Sequence, residues 1–341
     1  MIIKKTNKLT RRKLRPMEII LLFIIIIYCI TVAIKNPAFL SFNTLSDLLR
    51  LSSGTLIVSA GVLVILISGG IDVSFTAVAV VAGYSSIKFM MHLGIDSVLV
   101  TIAFAIILGL IMGAINAFLI NRFNLSTFIV TLGTSNVFYG LMTTFVGTSS
   151  ITVADKPNSL LAFGNMRLTL FSTSSGTLRI PVFFIIAMAV YLLTWFILYR
   201  TSLGRQIFAI GNSEEAAERI GINIFLIKLF IYTYMGMLAG IMGIVYFSEV
   251  DLINPVSLVG SDLNVIAAVL IGGIRLTGGE GTIFGSILGV FLIQLFRSTL
   301  VFLGLPTAAN DLFTGAIMIM SIAIISIQDR RVRKNKLIFV D

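Results

Sequence analysis

The sequence predicts an all-α polytopic membrane protein of about ten transmembrane helices, some of them broken by glycine, with both termini cytoplasmic. Three observations carry this. The 341 residues are 57% hydrophobic and only 12% charged, with a mean hydropathy of +1.04, and a soluble domain of this length needs far more surface charge. Apolar windows long enough to cross a ~30 Å hydrocarbon core recur along the whole chain. The 25 Lys and Arg residues sort by side: with the termini placed inside, 18 fall in inside segments and six outside, and Arg297 lies within a span. That asymmetry orients the chain.

The windows fall near 17–35, 51–69, 73–92, 97–120, 125–147, 180–199, 228–248, 262–276, 282–303 and 311–327. They form one transmembrane domain over 1–341, with basic cytoplasmic tails at 1–16 and 328–341 and a cytoplasmic loop at 200–227. The basic-then-apolar start resembles a signal peptide, but Lys35-Asn36-Pro37 follows where small residues would mark cleavage, so an uncleaved first span is expected. The net charge of +10 is spent on topology, and no nucleic-acid partner is expected. The single cysteine, Cys29, and single histidine, His92, leave no disulfide framework, and no metal site or cofactor is expected.

Two glycine-broken stretches interrupt the apolar pattern. Ser68-Gly69-Gly70-Ile71-Asp72-Val73-Ser74 places a carboxylate between two hydrophobic runs, where an ionised group must face protein or water. Gly272-Gly273-Ile274-Arg275-Leu276-Thr277 echoes it, with Arg275 in place of Asp72. Such breaks free backbone groups at membrane depth and suit a neutral, polyhydroxylated solute. Two roles stay open for Asp72 and Ser74: lining the pathway, or capping the helix that restarts after them. An Asp72–Arg275 pair is one possible arrangement. Ser68, Gly69, Gly70, Asp72, Ser74, Gly272 and Gly273 are therefore candidate pathway residues. Thr134 and Asn136 join them, because Thr131, Thr134, Ser135 and Asn136 recur at helical spacings in the fifth span. Gly281/Gly285/Gly289, Gly109/Gly113 and Gly236/Gly240 form small-residue ridges expected to pack within one subunit. Thr277 and Glu280 fit a capping box for the helix from Thr282.

Within 200–227, Asn212 is expected to cap a helix of about two turns that Gly221 stops. Glu214 and Glu215 lie at its positive end, and Glu215 and Arg219 form an i,i+4 pair. A helix that short needs a surface to dock on. That surface is either the protein's own spans or a cytoplasmic partner. The outside loop 148–179 is rich in Ser, Thr, Asn and Gly, and reads as either a partner-contacting or a plain solvated segment.

Glu214-Glu215-Ala216-Ala217 with its following glycine resembles the EAA-type loop of ABC importer permeases. Ser68–Ser74 resembles the GGIDLS signature of the ribose-type branch of that family, and residues 271–289 are similar to the branch's second glycine-rich signature. The three motifs occur in the family's order. The chain departs from the pattern after Ser74: the family commonly has a glycine there, as in GGIDLSVG or GGIDISFG, whereas this sequence continues Phe75-Thr76-Ala77. The resemblance implies a monosaccharide importer subunit, with relatives for autoinducer-2 and nucleosides. It also implies a second permease copy or sister permease, an extracytoplasmic solute-binding protein, and a cytoplasmic ATPase docked on Asn212, Glu214, Glu215, Ala216, Ala217, Arg219 and Gly221. The chain contains no Gly-Lys dipeptide and so no P-loop of its own. An ion-coupled carrier is the rival class, with Asp72 as its titratable group. A membrane enzyme finds no histidine cluster or nucleophile.

Overall fold

The computed structural model describes residues 15–173, 176–258 and 260–304, with scattered positions between 306 and 323. Most of the expected tail 1–16, the tail 328–341 and most of the span 311–327 lie outside the described residues.

Six described helices are long and apolar enough to cross a membrane: α1 (Pro16–Lys35), α2 (Phe42–Ile67), α4 (Val98–Phe123), α5 (Thr127–Phe145), α7 (Val182–Arg200) and α10 (Ile224–Glu249). Between them lie α3 (Phe75–His92), α6 (Asn158–Asn165), α8 (Ser202–Asn212) and α9 (Glu214–Arg219). Strands β1 (Arg167–Thr173) and β2 (Gly176–Pro181) pair antiparallel, and α11 (Asp262–Ile271) and α12 (Ile283–Thr299) follow in chain order.

Two spans depart furthest from their apolar windows. Helix α2 starts at Phe42, because the Ser41 hydroxyl accepts the Thr44 amide and caps it well before the apolar run begins. The window at 262–276 yields only the ten-residue α11, which Gly272 and Gly273 terminate.

Helix α2 is the centre of the bundle. Within its most apolar window 83% of residues are buried, against 22% for α1, and it packs on α7, α10, α11 and α12. Helix α1 faces outward with Phe23, Ile26, Ile27 and Ile30, as a lipid-contacting helix does. Its start is tied down by Glu18, which accepts the Arg15 backbone amide and the Thr282 hydroxyl at 2.8 and 2.6 Å. Buried hydroxyls cross-link the core: Tyr191 bonds Ser59 and Ser286, and Thr194 bonds Tyr234.

The expected small-residue ridges do pack within the subunit. A side chain on Gly236 would collide with the Gly109 carbonyl, and one on Gly240 with the Ala105 carbonyl. Likewise Gly285 and Gly289 lie against the Gly272 and Ala268 carbonyls, drawing α12 onto α11.

The loops gather at two ends. At one, which we call the α8 end, Gly279 donates to the Ile67 carbonyl at 2.8 Å and Gly211 touches both segments. At the other, the hairpin end, Ser46 donates to the Arg179 carbonyl at 2.6 Å and Ile151 pairs with Ile253. The segment 148–179 is thus a built element with α6 and most of a hairpin.

Asp96 anchors this element. Its carboxylate accepts the Asn158 and Ser159 amides at 3.1 and 2.9 Å, and the bonds from Ser159, then Asn158, hold its pKa below the usual carboxylate range. The anchor is at full strength above about pH 3.9 and is lost as the pH falls from there through the lowered folded value. Asp96→Ala should speed hydrogen exchange in residues 158–165 while leaving the amides of α2 and α10 protected. Unchanged exchange in α6 would contradict the anchoring role.

Candidate functional site

At the hairpin end a cavity of about 650 Å³ opens between α2, α10, α11 and α12. Asp47, Arg50 and Thr55 reach it from α2, Tyr246 and Glu249 from α10, Asn264 from α11, and Gln294 and Arg297 from α12. Ser257 and Ser261 close it from the loop before α11. Its lining carries two acidic side chains, Asp47 and Glu249, and two basic ones, Arg50 and Arg297, so its formal charges balance.

Arg50 and Glu249 bridge α2 and α10. The guanidinium Nη2 donates to the Glu249 backbone carbonyl at 3.3 Å, satisfying one of the carbonyls left open at the end of α10. Nε stands 3.7 Å from the Glu249 carboxylate Oε1, beyond hydrogen-bonding distance. Oε1 is buried without a hydrogen-bond partner among the described residues.

None of Ser68, Gly69, Gly70, Asp72, Ser74, Thr134, Asn136, Gly272 or Gly273 lines this cavity. The first break lies at the α8 end. Asp72 is buried and serves the restart of α3: its Oδ1 accepts the Ser74 amide at 2.6 Å and the Ser74 hydroxyl at 2.7 Å. Asn116 on α4 donates to that same hydroxyl at 2.8 Å. Two amides of the irregular backbone between α2 and α3 are met from α5, Ile71 by Thr127 and Val73 by Thr131. Asp72 does not pair with Arg275, which meets Glu280 at 3.0 Å; Glu280 also meets Arg15.

The fifth span divides differently from its sequence pattern. Thr134 is buried and bonds back to the Thr131 carbonyl of its own helix. Asn136 lies exposed on the outer face and bonds back to Leu132.

Asp72→Leu removes the acceptor for a buried backbone amide and a buried hydroxyl, a loss of about 1–3 kcal/mol each. Thermal unfolding of the purified protein should fall markedly in Asp72→Leu and much less in Asp72→Asn, which keeps one acceptor oxygen. Equal stability for both would refute the capping role.

Both breaks converge on the 200–223 loop. Gly211, near the end of α8, lies against the Ile67 carbonyl and the Gly279 amide, and Gly278 lies against Gly69 and the Gly211 carbonyl. The cap differs from the expected one: Ser213, not Asn212, accepts the Ala216 amide, and Asn212 ends α8 by donating to Phe208. Helix α9 is correspondingly shorter, six residues, with Gly221 at φ +86° behind it. The Glu215–Arg219 pair forms at 4.0 Å, and Glu214 is held by Lys228 at 2.6 Å. Only Ala217 of α9 is buried; Glu215, Ala216, Arg219 and Ile220 face outward, and Ile220 is 76% exposed. The capping box expected at Thr277 is replaced by Thr282, whose hydroxyl accepts the Gly285 amide.

Sequence reading missed Arg50, Glu249 and Asp47 as site residues. The signal was there in the rarity of charge beside apolar runs, but Arg50 carried only a topological meaning until α2 and α10 were brought together.

A helical bundle with a polar, charge-balanced cavity at one end and a small external helix bound to broken spans at the other is the build of a transport permease. The chain belongs to the family described as branched-chain amino acid transport system / permease component, which it matches over residues 44–322. It is 29% identical to the D-allose transport system permease protein AlsC of Escherichia coli (strain K12) over 299 residues, 88% of each chain. It is 30% identical to the ribose import permease protein RbsC of Bacillus subtilis (strain 168) over 305 residues, 88% of this chain and 89% of that one. With the autoinducer 2 import system permease protein LsrC of Enterobacter sp. (strain 638) it shares 29% over 299 residues, 87% of this chain and 83% of the relative. No solved structure matches the chain. Family membership and six apolar helices make it a multi-pass inner-membrane protein.

Proposed function

We propose that this chain is the membrane-spanning subunit of an ATP-binding-cassette importer for a small sugar-like solute, a monosaccharide or autoinducer-2. The observation that carries the reading is the seating of Gly211 against both glycine breaks. A partner that pushes on α8 and α9 thereby moves the ends of α2 and α11 and the starts of α3 and α12. The α8 end is cytoplasmic in this reading, consistent with the basic residues that gather there, and both termini lie on that side of a ten-span chain. The hairpin end then receives solute from an extracytoplasmic binding protein. A second copy, or a sister permease, completes the pathway, and 1–341 acts as one transmembrane domain. ATP is hydrolysed by a separate subunit. The outward-facing surface of α9, with Ile220 and Glu215, is its dock. The sugar class rests on the relatives, whose names specify allose, ribose and autoinducer 2.

The pathway role of Gly69, Gly70, Gly272 and Gly273 becomes a gating one in this reading: they let the spans bend where the loop presses on them. Asp72 and Ser74 hold the restarted helix in register.

The test is a pull-down of the tagged full chain from its native membrane. A P-loop ATPase should arrive in stoichiometric amount and be lost when residues 213–220 become a Gly-Ser linker. A chain that purifies alone and moves sugar in liposomes without ATP is an ion-coupled or passive carrier, and the proposal fails.

A further inference from the structure

We infer that the cavity between α2, α10, α11 and α12 is the solute site of this chain, and that the Arg50–Glu249 pair reads a hydroxyl group of a neutral polyol. The inference rests on the permease reading above and adds the location and chemistry of recognition.

The argument starts from the Glu249 carboxylate. Its side chain is only 12% exposed, yet Oε1 has no hydrogen-bond donor among the described residues. Leaving a buried carboxylate oxygen without a donor is costly. Arg50 offers charge but not a bond to that oxygen, because its guanidinium donates to the Glu249 backbone carbonyl while Nε stays 3.7 Å from Oε1. Oε1 is sealed from solvent, so a group in the cavity meets the carboxylate at its other oxygen, Oε2; it must donate there, and gains further by accepting from the guanidinium. Among the groups a solute can bring, a hydroxyl does both with one atom, as the water it displaces does. An ammonium donates without accepting, and a carboxylate accepts without donating.

The rest of the cavity fits the same class. Asp47 and Arg297 add a second acid and a second base to the lining, so it carries no formal excess of either sign to select an anion or a cation. Asn264 and Gln294 supply further mixed donors and acceptors, and Tyr246 supplies an aromatic ring. A volume of about 650 Å³ is in the range of small-molecule sites.

The experiment uses the full chain with Cys29→Ser, so that a thiol introduced as Ser257→Cys, in the loop that closes the cavity, is the only one. A second reporter, Thr55→Cys, reads the opposite wall. Each is labelled with a membrane-impermeant methanethiosulfonate in the presence of D-ribose, D-allose, D-ribonate or L-leucine. Ribose or allose should slow labelling of both reporters, whereas ribonate and leucine should not. Adding Glu249→Gln or Arg50→Gln should raise the sugar concentration for half-protection by about tenfold or more. A purely structural latch would instead leave half-protection unchanged in whichever variants fold. Protection by leucine or ribonate in place of the sugars, or by none of the four, overturns the inference. The pull-down run on the same preparation separates the two levels: an ATPase that still binds while the cavity goes unprotected sinks only this inference.

Discussion

Gly211→Val should stop ATP-driven uptake of radiolabelled D-ribose or D-allose while the ATPase still co-purifies with the chain. The α-carbon of Gly211 is packed directly on backbone. A first side-chain carbon would overlap the Ile67 carbonyl and come within 2.6 Å of the Gly279 amide. Those two groups are already hydrogen-bonded to each other at 2.8 Å. No rotamer relieves such a clash, because the obstructing atoms are main chain. Either α8 lifts from the breaks or the breaks deform, at about 1–3 kcal/mol or more. The docking surface of α9 is left in place, since Glu215 and Ile220 point away from the junction. Force from the partner would then no longer reach α2 and the 272–282 segment. A coupling free energy of ~1–3 kcal/mol corresponds to a loss of roughly 5- to 150-fold in uptake. Gly133→Ala is the control, because a side chain there meets nothing within 4 Å. Full uptake by Gly211→Val would show that the junction does not transmit.

Gly236→Val should have a larger effect on folding than any substitution on the outer faces. Helices α4 and α10 cross at glycines from both sides: Gly236 on the Gly109 carbonyl, Gly113 on the Tyr232 carbonyl, and Gly240 on the Ala105 carbonyl. In lipid the hydrophobic effect does not hold helices together, so close backbone approach and its dispersion contacts must do so. A branched side chain at the centre of the seam pushes the helices apart along their length. It thereby removes contacts of several neighbours at once. Detergent-solubilised Gly236→Val should elute as aggregate or melt far below the parent, while Val137→Ala on the exposed face of α5 should melt close to it. A monodisperse Gly236→Val with parental thermal stability would mean that the seam can slide.

Much of this architecture is legible in the chain. Composition and basic-residue placement announce a membrane bundle, because the hydrocarbon core imposes its length and polarity on every span. The glycine ridges foretell close helix pairs. The stop at Gly221 is readable because a positive φ there is a local property of the backbone. Caps are not fixed locally: Asn212 and Ser213 are both good caps by type, and only the end of α8 decides between them. Thr277 and Thr282 pose the same choice, decided by the turn that Arg275 and Glu280 close.

By itself, then, the sequence determined what local chemistry controls: the spans, their breaks, the short acidic helix and the family they signal. Tertiary structure alone decided where those parts meet. Arg50 and Glu249 stand 199 residues apart and become a pair only when α2 packs on α10. Asn116 finds Ser74 across 42 residues, and Gly211 finds Gly69 and Gly278 through three separate turns. Such juxtapositions depend on how helices pack against one another, which spacing within any one helix does not encode. That is why the candidate solute site lies at the end of the bundle opposite the first glycine break, and not within it.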